Sequence, residues 1–301
     1  KEVREEASGT AGLGDSSGRQ SRPELCYQLL LFDLDGTLLT QDRRIAEENR
    51  EALGRLMRAG VRVGLATGRT LRSAKPYADA IGANGPLILF NGARVWDRAR
   101  GGFLFGRDLP RQEAFLALEL KRRLPELADA HVNLYVDDEI LIEKRTERSM
   151  ASEAKDGVPH TVVGDLSDWL KRRGGDPIKL MLIAGPEQLE IFQAEFDKRS
   201  SGVCDLIRSE REYLELTRKG VNKGSALGEM LALYGIPRSK VVAFGDNLND
   251  VELLRESGLG VAMGNAHAGL KAVAGRVIGP HTTDSIRAFL EETFPRELGV
   301  Q

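Results

Sequence analysis

An unbroken apolar run, Leu29-Leu30-Leu31-Phe32, stops at Asp33, and Leu34-Asp35-Gly36-Thr37-Leu38-Leu39 follows. A run with no polar alternation reads as a strand buried on both faces. Such strands belong to parallel sheets covered by helices. In open sheets of that kind, ligands bind just beyond the carboxyl ends of the strands. Two acids at that edge are costly to desolvate unless a metal or a cationic group offsets them. A lone Asp-Gly after a strand would simply cap the next element. Asp-x-Asp-Gly-Thr directly after an apolar run points to chemistry instead.

Three further runs have the same form. Val61-Arg62-Val63-Gly64-Leu65-Ala66 ends at Thr67-Gly68-Arg69, and Leu87-Ile88-Leu89-Phe90 ends at Asn91-Gly92. Val241-Val242-Ala243-Phe244 ends at Gly245-Asp246-Asn247-Leu248-Asn249-Asp250. Ahead of that last run, Gly220-Val221-Asn222-Lys223-Gly224 places one lysine at the start of a helix with Ala226, Leu227, Met230 and Leu231 in apolar period. Four carboxylates (Asp33, Asp35, Asp246, Asp250), Lys223 and Thr67 would then converge on one sheet edge. Clustered hard oxygen ligands suit Mg²⁺, which takes carboxylates, water and substrate phosphate. The lysine, the hydroxyl and the N–H groups of the glycine turns suit a phosphate. Attack on a phosphate ester needs a nucleophile, charge neutralisation and an acid for the leaving oxygen. This set supplies all three without His or Cys. A glycosidase pair needs only two acids about 5–10 Å apart, and the surplus acidity argues for a cation.

Single residues keep other readings. Thr67 can cap a helix ahead of Arg69. Lys223 can be a solvated first-turn lysine, although a cation there opposes the helix dipole. Asn249 can be a capping residue. Arg69 is expected to pair with a nearby acid or helix rather than with substrate.

Asp33-Leu34-Asp35-Gly36-Thr37, Thr67-Gly68-Arg69, Lys223 and Gly245-Asp246-Asn247-Leu248-Asn249-Asp250 resemble, in order, the four motifs of the haloacid-dehalogenase (HAD) superfamily. Phe90-Asn91-Gly92-Ala93, Lys223-Gly224-Ser225-Ala226-Leu227 and Val261-Ala262-Met263-Gly264-Asn265-Ala266 look like its Cof-type phosphatase branch, which carries a large α/β cap of type IIB. Thr283-Asp284-Ser285-Ile286 departs from the Asp-Gly usual in that branch. The resemblance implies an α/β fold: a doubly wound, parallel-sheet Rossmannoid core with an inserted α+β cap. It implies Asp33 as nucleophile, forming an aspartyl-phosphate, and Asp35 as the acid that protonates the leaving alcohol and then activates water. Mg²⁺ would be held by Asp33, by Asp35 through its main-chain carbonyl, by Asp246, and by Asp250 directly or indirectly. Thr67, Gly68 and Lys223 would hold the phosphoryl group, with Asn91 and Asn249 as further substrate or phosphate contacts.

The 301 residues fit one large or two modest domains, and 41% hydrophobic content suffices for a core. A formal net charge of −2 gives no reason to invoke nucleic acid or an anionic membrane. No apolar run approaches the ~20 residues of a membrane span. Cys26 and Cys204 lack metal-ligand spacing, so a reducing cytoplasm is the expected setting. Residues 1–22, rich in Gly, Ser, Glu and Arg, are expected to form a disordered tail without the apolar core of a secretory signal.

The core motifs are interrupted by residues of different character. The sequence places the core at 23–92 and 216–301 and the cap at 93–215, with hinges near 91–93 and 215–220. Val132-Asn133-Leu134-Tyr135-Val136, Asp137-Asp138-Glu139 and Ile140-Leu141-Ile142 give a hairpin. Residues 178–183 read as a strand, 188–196 as a helix, and 203–207 and 212–216 as closing strands. Hairpins with helices on one face make an α+β unit. By the resemblance, this cap covers the sheet edge, selects substrate and excludes water. Tyr135, Asp137 and Asp138 are candidate contacts at its tip, with a solvated turn as the other reading for the acids. The expected function is Mg²⁺-dependent hydrolysis of a small phosphorylated metabolite such as a sugar phosphate. A phosphomutase and a non-catalytic phosphate sensor are the alternatives.

Overall fold

The computed structural model describes residues 25–300; the expected tail at 1–22 lies outside them. Five strands come first: β1 (Leu29–Phe32), β2 (Arg62–Ala66), β3 (Leu87–Leu89), β4 (Arg94–Asp97) and β5 (Gly102–Gly106). Six more form a separate sheet: β6 (His131–Val136), β7 (Glu139–Ile142), β8 (Thr161–Val162), β9 (Lys179–Ile183), β10 (Cys204–Glu210) and β11 (Tyr213–Arg218). The chain then returns with β12 (Val241–Gly245), β13 (Leu259–Ala262) and β14 (Arg276–Val277).

The first sheet has the order β14-β13-β12-β1-β2-β3-β4-β5. Its first six strands in that order pair in parallel. All four residues of β1 are buried, as an apolar run enclosed by two layers of helices requires. The strand order reverses at β1, whose neighbours are β2 on one side and β12 on the other. That reversal opens a crevice at the carboxyl ends of β1 and β12. Asp33 and Asp246 stand at its two lips. Asp33 continues the β1 ladder, its N–H donating to the Phe244 carbonyl at 3.0 Å.

Residues 94–106, which the sequence reading assigned to the cap, form β4 and β5 and extend the core sheet antiparallel to β3. Phe90, Asn91 and Gly92 all take left-handed φ values (50°, 54° and 104°), so the chain doubles back there into a hairpin. A Cβ on Gly92 would lie 2.1 Å from the Asn222 carbonyl oxygen, so only glycine lets this turn pack on the returning chain. The passage into the second sheet therefore lies beyond Gly106 rather than at 91–93.

The second sheet runs β10-β11-β9-β6-β7-β8. Its strands alternate. Val132, Leu134, Leu180, Leu182, Leu214 and Leu216 share a core with Leu189, Phe192 and Phe196 of the helix Pro186–Asp197. The intervening residues Tyr135, Lys179, Met181 and Glu215 turn to the other face and line a cavity above the core sheet edge. Among the described residues, no helix is long and apolar enough to cross a membrane.

Candidate active site

The turn after β1 depends on Gly36. Its φ is +80°, and an added Cβ would lie 2.3 Å from Asp246 Oδ2. Asn265 Nδ2 donates to the Gly36 carbonyl at 2.8 Å and pins the turn against the loop after β13. Asp33, Asp246 and Asp250 thereby offer carboxylate oxygens that all lie within 4.8 Å of one another.

Lys223 opens the helix Lys223–Tyr234 and is fully buried. Its Nζ donates to Asp33 Oδ1 at 2.7 Å and to Asp250 Oδ1 at 2.6 Å. Burial works against its charge, but the two carboxylates outweigh burial and hold the ammonium well above its usual range. The helix places this cation at its own start because Asn222 caps it, accepting from the Ser225 N–H at 2.8 Å. The solvated reading of Lys223 is overturned.

Asp250 is bonded through both carboxylate oxygens. Oδ2 accepts from the N–H groups of Asp246 and Asn247 at 3.1 and 3.2 Å, and Oδ1 takes Lys223. Asp250 thus shapes the loop and holds the lysine, and its carboxylate still counts among the three that could hold a metal ion. Burial, with Asp250 and Asp246 nearby, pushes the Asp33 carboxyl well above its usual range despite Lys223. Burial and Asp250 raise Asp246 to about 6. Three carboxyl groups share a single ammonium, so the cluster holds more acid than cation. A divalent cation fits that donor set and that deficit.

Asp35 stands apart from this cluster. Arg69 holds it from two sides, Nε to Oδ2 at 2.8 Å and Nη2 to Oδ1 at 2.7 Å. The expected pairing of Arg69 with an acid is therefore present, and the Asp35 side chain is not among the clustered carboxylates. Thr67 is buried, its Oγ1 accepting from the Arg69 N–H at 3.2 Å. The helix cap is Thr70, which accepts from the Ser73 N–H at 3.1 Å. Asn247, not Asn249, is the capping asparagine after β12. Asn249 Nδ2 instead donates to Asn91 Oδ1 at 3.1 Å, and the Asn91 amide packs over Gly68. Asp33, Asp35, Thr67, Gly68, Asn91, Asp246 and Asn249 line one cavity, with Lys223 bonded to Asp33 and Asp250 beneath it.

The cavity over this site has a volume of about 370 Å³ and is walled by both sheets. Its roof holds a buried ion pair that the sequence reading passed over. Lys179 Nζ donates to Glu215 Oε2 at 2.7 Å, and Asn91 Nδ2 approaches the same oxygen at 3.4 Å. Lys179 also lies 4.6 Å from the centre of the Tyr135 ring. The signal was one charge inside each apolar strand, Ile178-Lys179-Leu180 and Leu214-Glu215-Leu216. Of the tip acids, Asp138 accepts from the Arg72 N–H at 3.1 and 2.9 Å, docking the hairpin onto the core helix Leu71–Ala80. Asp137 pairs with Arg173. Neither acid lines the cavity. A larger recess of about 770 Å³ beside Lys121, His131 and Arg148 contains no motif residue.

Residues 30–290 match the family model of haloacid dehalogenase-like hydrolases. The chain belongs to that family, and within it to the phosphatases. It is 34% identical over 248 residues to a protein of Yersinia pseudotuberculosis named HMP-PP phosphatase, with 81% of this chain and 86% of that protein covered. A haloacid dehalogenase-like hydrolase from Bacteroides thetaiotaomicron superposes with a TM-score of 0.81 at 26% identity, covering 89% of this chain and 100% of that one. A HAD subclass IIB sugar phosphatase shares the fold with a TM-score of 0.75 at 22% identity, over 88% and 98% of the two chains.

Proposed function

We propose that this chain is a Mg²⁺-dependent phosphomonoester hydrolase of small phosphorylated metabolites, sugar phosphates among them, acting through an aspartyl-phosphate on Asp33. The observation that carries this reading is Lys223 Nζ held between Asp33 and Asp250, beside Asp246, at the switch point of the sheet. Asp33 and Asp246, with the main-chain carbonyl of Asp35, would hold Mg²⁺, and Asp250 supports them from behind. When bound, the ion neutralises phosphoryl oxygens and the excess carboxylate charge.

Lys223 keeps the Asp33 carboxylate oriented and its charge partly offset, ready to attack phosphorus. Thr67 Oγ1 and the turn at Gly68 face the same cavity as Asp33 and provide phosphoryl contacts. Asn91 and Asn249, bonded to each other, flank them. Asp35 protonates the leaving oxygen and then takes a proton from the water that splits the aspartyl-phosphate. An intact Asp35 favours hydrolysis over retention of the phosphoryl group by a mutase, and an intact acid cluster disfavours a ligand sensor. The relatives named for HMP-PP and for sugars both point to small phosphorylated substrates. The two cysteines are free thiols, which suits the cytoplasm.

The test is phosphate release from p-nitrophenyl phosphate and a panel of sugar phosphates, with Mg²⁺ and with EDTA. Stoichiometric release that requires Mg²⁺ supports the proposal. Phosphoryl transfer between sugar positions without free phosphate would replace it with the mutase reading.

A further inference from the structure

One carboxylate on the cavity wall has no part in the chemistry above. Asp156 ends the helix Glu147–Asp156 and lines the cavity. Its Oδ2 accepts from Ser152 Oγ at 3.3 Å and from His160 Nε2 at 3.0 Å. Ser152 Oγ accepts in turn from Asn133 Nδ2 at 2.8 Å, and Asn133 Oδ1 accepts from His131 Nε2 at 2.9 Å. Five polar side chains thus form one hydrogen-bonded chain across the second domain. Four of them are buried, and only Asp156 keeps a quarter of its side chain exposed. Its carbonyl is also fixed, accepting from Ser73 Oγ of the core.

A surface acid at a helix end needs no such support. His160 Nδ1 is the one buried side-chain atom of these five residues without a hydrogen-bond partner among the described residues, and a polar network bonded to this degree holds one geometry. Here the geometry that is held is that of a carboxylate whose other oxygen, Oδ1, takes no hydrogen bond from any described residue. Asp156 also stands close enough to act electrostatically on Arg69, Tyr135 and Tyr213, which line the same cavity.

We infer that Asp156 is a specificity residue that accepts a hydrogen bond from an amine or hydroxyl on the leaving-group half of the substrate. Tyr135, Tyr213 and Met181 provide the apolar surface for the rest of that group. This rests on the phosphomonoesterase reading. Ser152 and His160 act through Asp156 as positioning residues. A site built to bond a polar substrate group rejects analogues lacking it far more strongly than an apolar pocket rejects a missing methylene.

The experiment compares matched esters: ethanolamine phosphate against ethyl phosphate, and meta- and para-amino or hydroxy phenyl phosphates against phenyl phosphate. The quantity read is the ratio of kcat/KM, donor-bearing over donor-free, in the full chain. Asp156→Ala is expected to lower that ratio about tenfold, mainly through KM. Asp156→Asn, which keeps an acceptor, restores part of it and serves if the alanine variant does not fold. Ser152→Ala and His160→Gln lower the ratio about threefold. A ratio unchanged in all four variants overturns the inference, as does an equal loss on both esters. The same preference is read as a Kd ratio in the Asp33→Asn background, where turnover is blocked. A wild type that hydrolyses no ester while Asp156 still sets the binding ratio would sink the phosphatase reading alone. Turnover with no effect of Asp156 would sink this inference alone.

Discussion

Arg69 grips Asp35 with two parallel hydrogen bonds, at 2.8 and 2.7 Å, and so restrains the residue assigned to move the proton. Burial pushes the Asp35 carboxyl upward, but the Arg69 bonds and charge prevail and hold it below its usual range. The carboxylate is therefore kept ionised while the pair is closed, and donating a proton to the leaving oxygen requires the Arg69 grip to loosen. Removing a cation beside a carboxyl raises its pKa. Arg69→Met is predicted to move the alkaline limb of kcat/KM to higher pH for esters with poor leaving groups. The pH–rate profile of wild type and variant checks this; a limb that stays in place contradicts it.

Among the described residues, Lys223 is the only side chain bonded to both Asp33 and Asp250. Lys223→Met leaves three neighbouring carboxylates without their ammonium. Loss of a preorganised charge of this kind costs about 10²–10³-fold in kcat. Breaking a buried pair from one side costs about 3–5 kcal/mol of stability. Thermal unfolding with Mg²⁺ and with EDTA is the check. The variant is expected to depend more steeply on Mg²⁺ than wild type, and equal dependence would argue against a cation among these acids.

The glycine after Asp35 is replaceable only at a loss. Gly36→Ala introduces a Cβ 2.3 Å from Asp246 Oδ2, at a φ of +80°. Left-handed strain of this kind costs about 1–3 kcal/mol. Activity is expected to fall more than tenfold because the collision displaces a carboxylate of the cluster. A variant with wild-type kcat and metal requirement would show that the loop adapts freely.

The Lys179–Glu215 pair makes stability depend on pH. Burial raises the Glu215 carboxyl, but Lys179 overcomes it and leaves Glu215 below its usual range. A carboxyl depressed in the folded state contributes stability that is complete above its unfolded pKa of about 4.3. That contribution is lost as pH falls through the lower folded value. Denaturation of wild type and of the double variant Lys179→Met/Glu215→Met is the measurement. Their stability difference should be flat above about pH 5.5 and drift with acid below it. A difference that is constant into strong acid contradicts the assignment.

The core was legible because its strands are buried on both faces and end in polar clusters. β1, β2, β3 and β12 could be placed from their apolar runs alone, and the motif residues at their ends meet as the crevice geometry demands. Residues 94–106 were misplaced because Arg94-Val95-Trp96-Asp97 alternates weakly and the hairpin signal is split by the turn at Arg98-Ala99-Arg100-Gly101. Asp138 was ambiguous because a turn acid looks the same whether it faces water or a helix start 66 residues away. Lys179 and Glu215 take their roles from each other across 36 positions of sequence. No local pattern encodes such pairings.

The most direct measurement is chemical trapping of the intermediate. Wild-type protein with Mg²⁺ and p-nitrophenyl phosphate is quenched during turnover, reduced with borohydride, and mapped by peptide mass spectrometry. An aspartyl-phosphate is reduced to homoserine, and the prediction is homoserine at position 33 alone, absent with EDTA and absent in Asp33→Asn, which should also lack turnover. Sustained phosphate release by Asp33→Asn, or homoserine at another acid, would contradict the assignment of Asp33 as nucleophile.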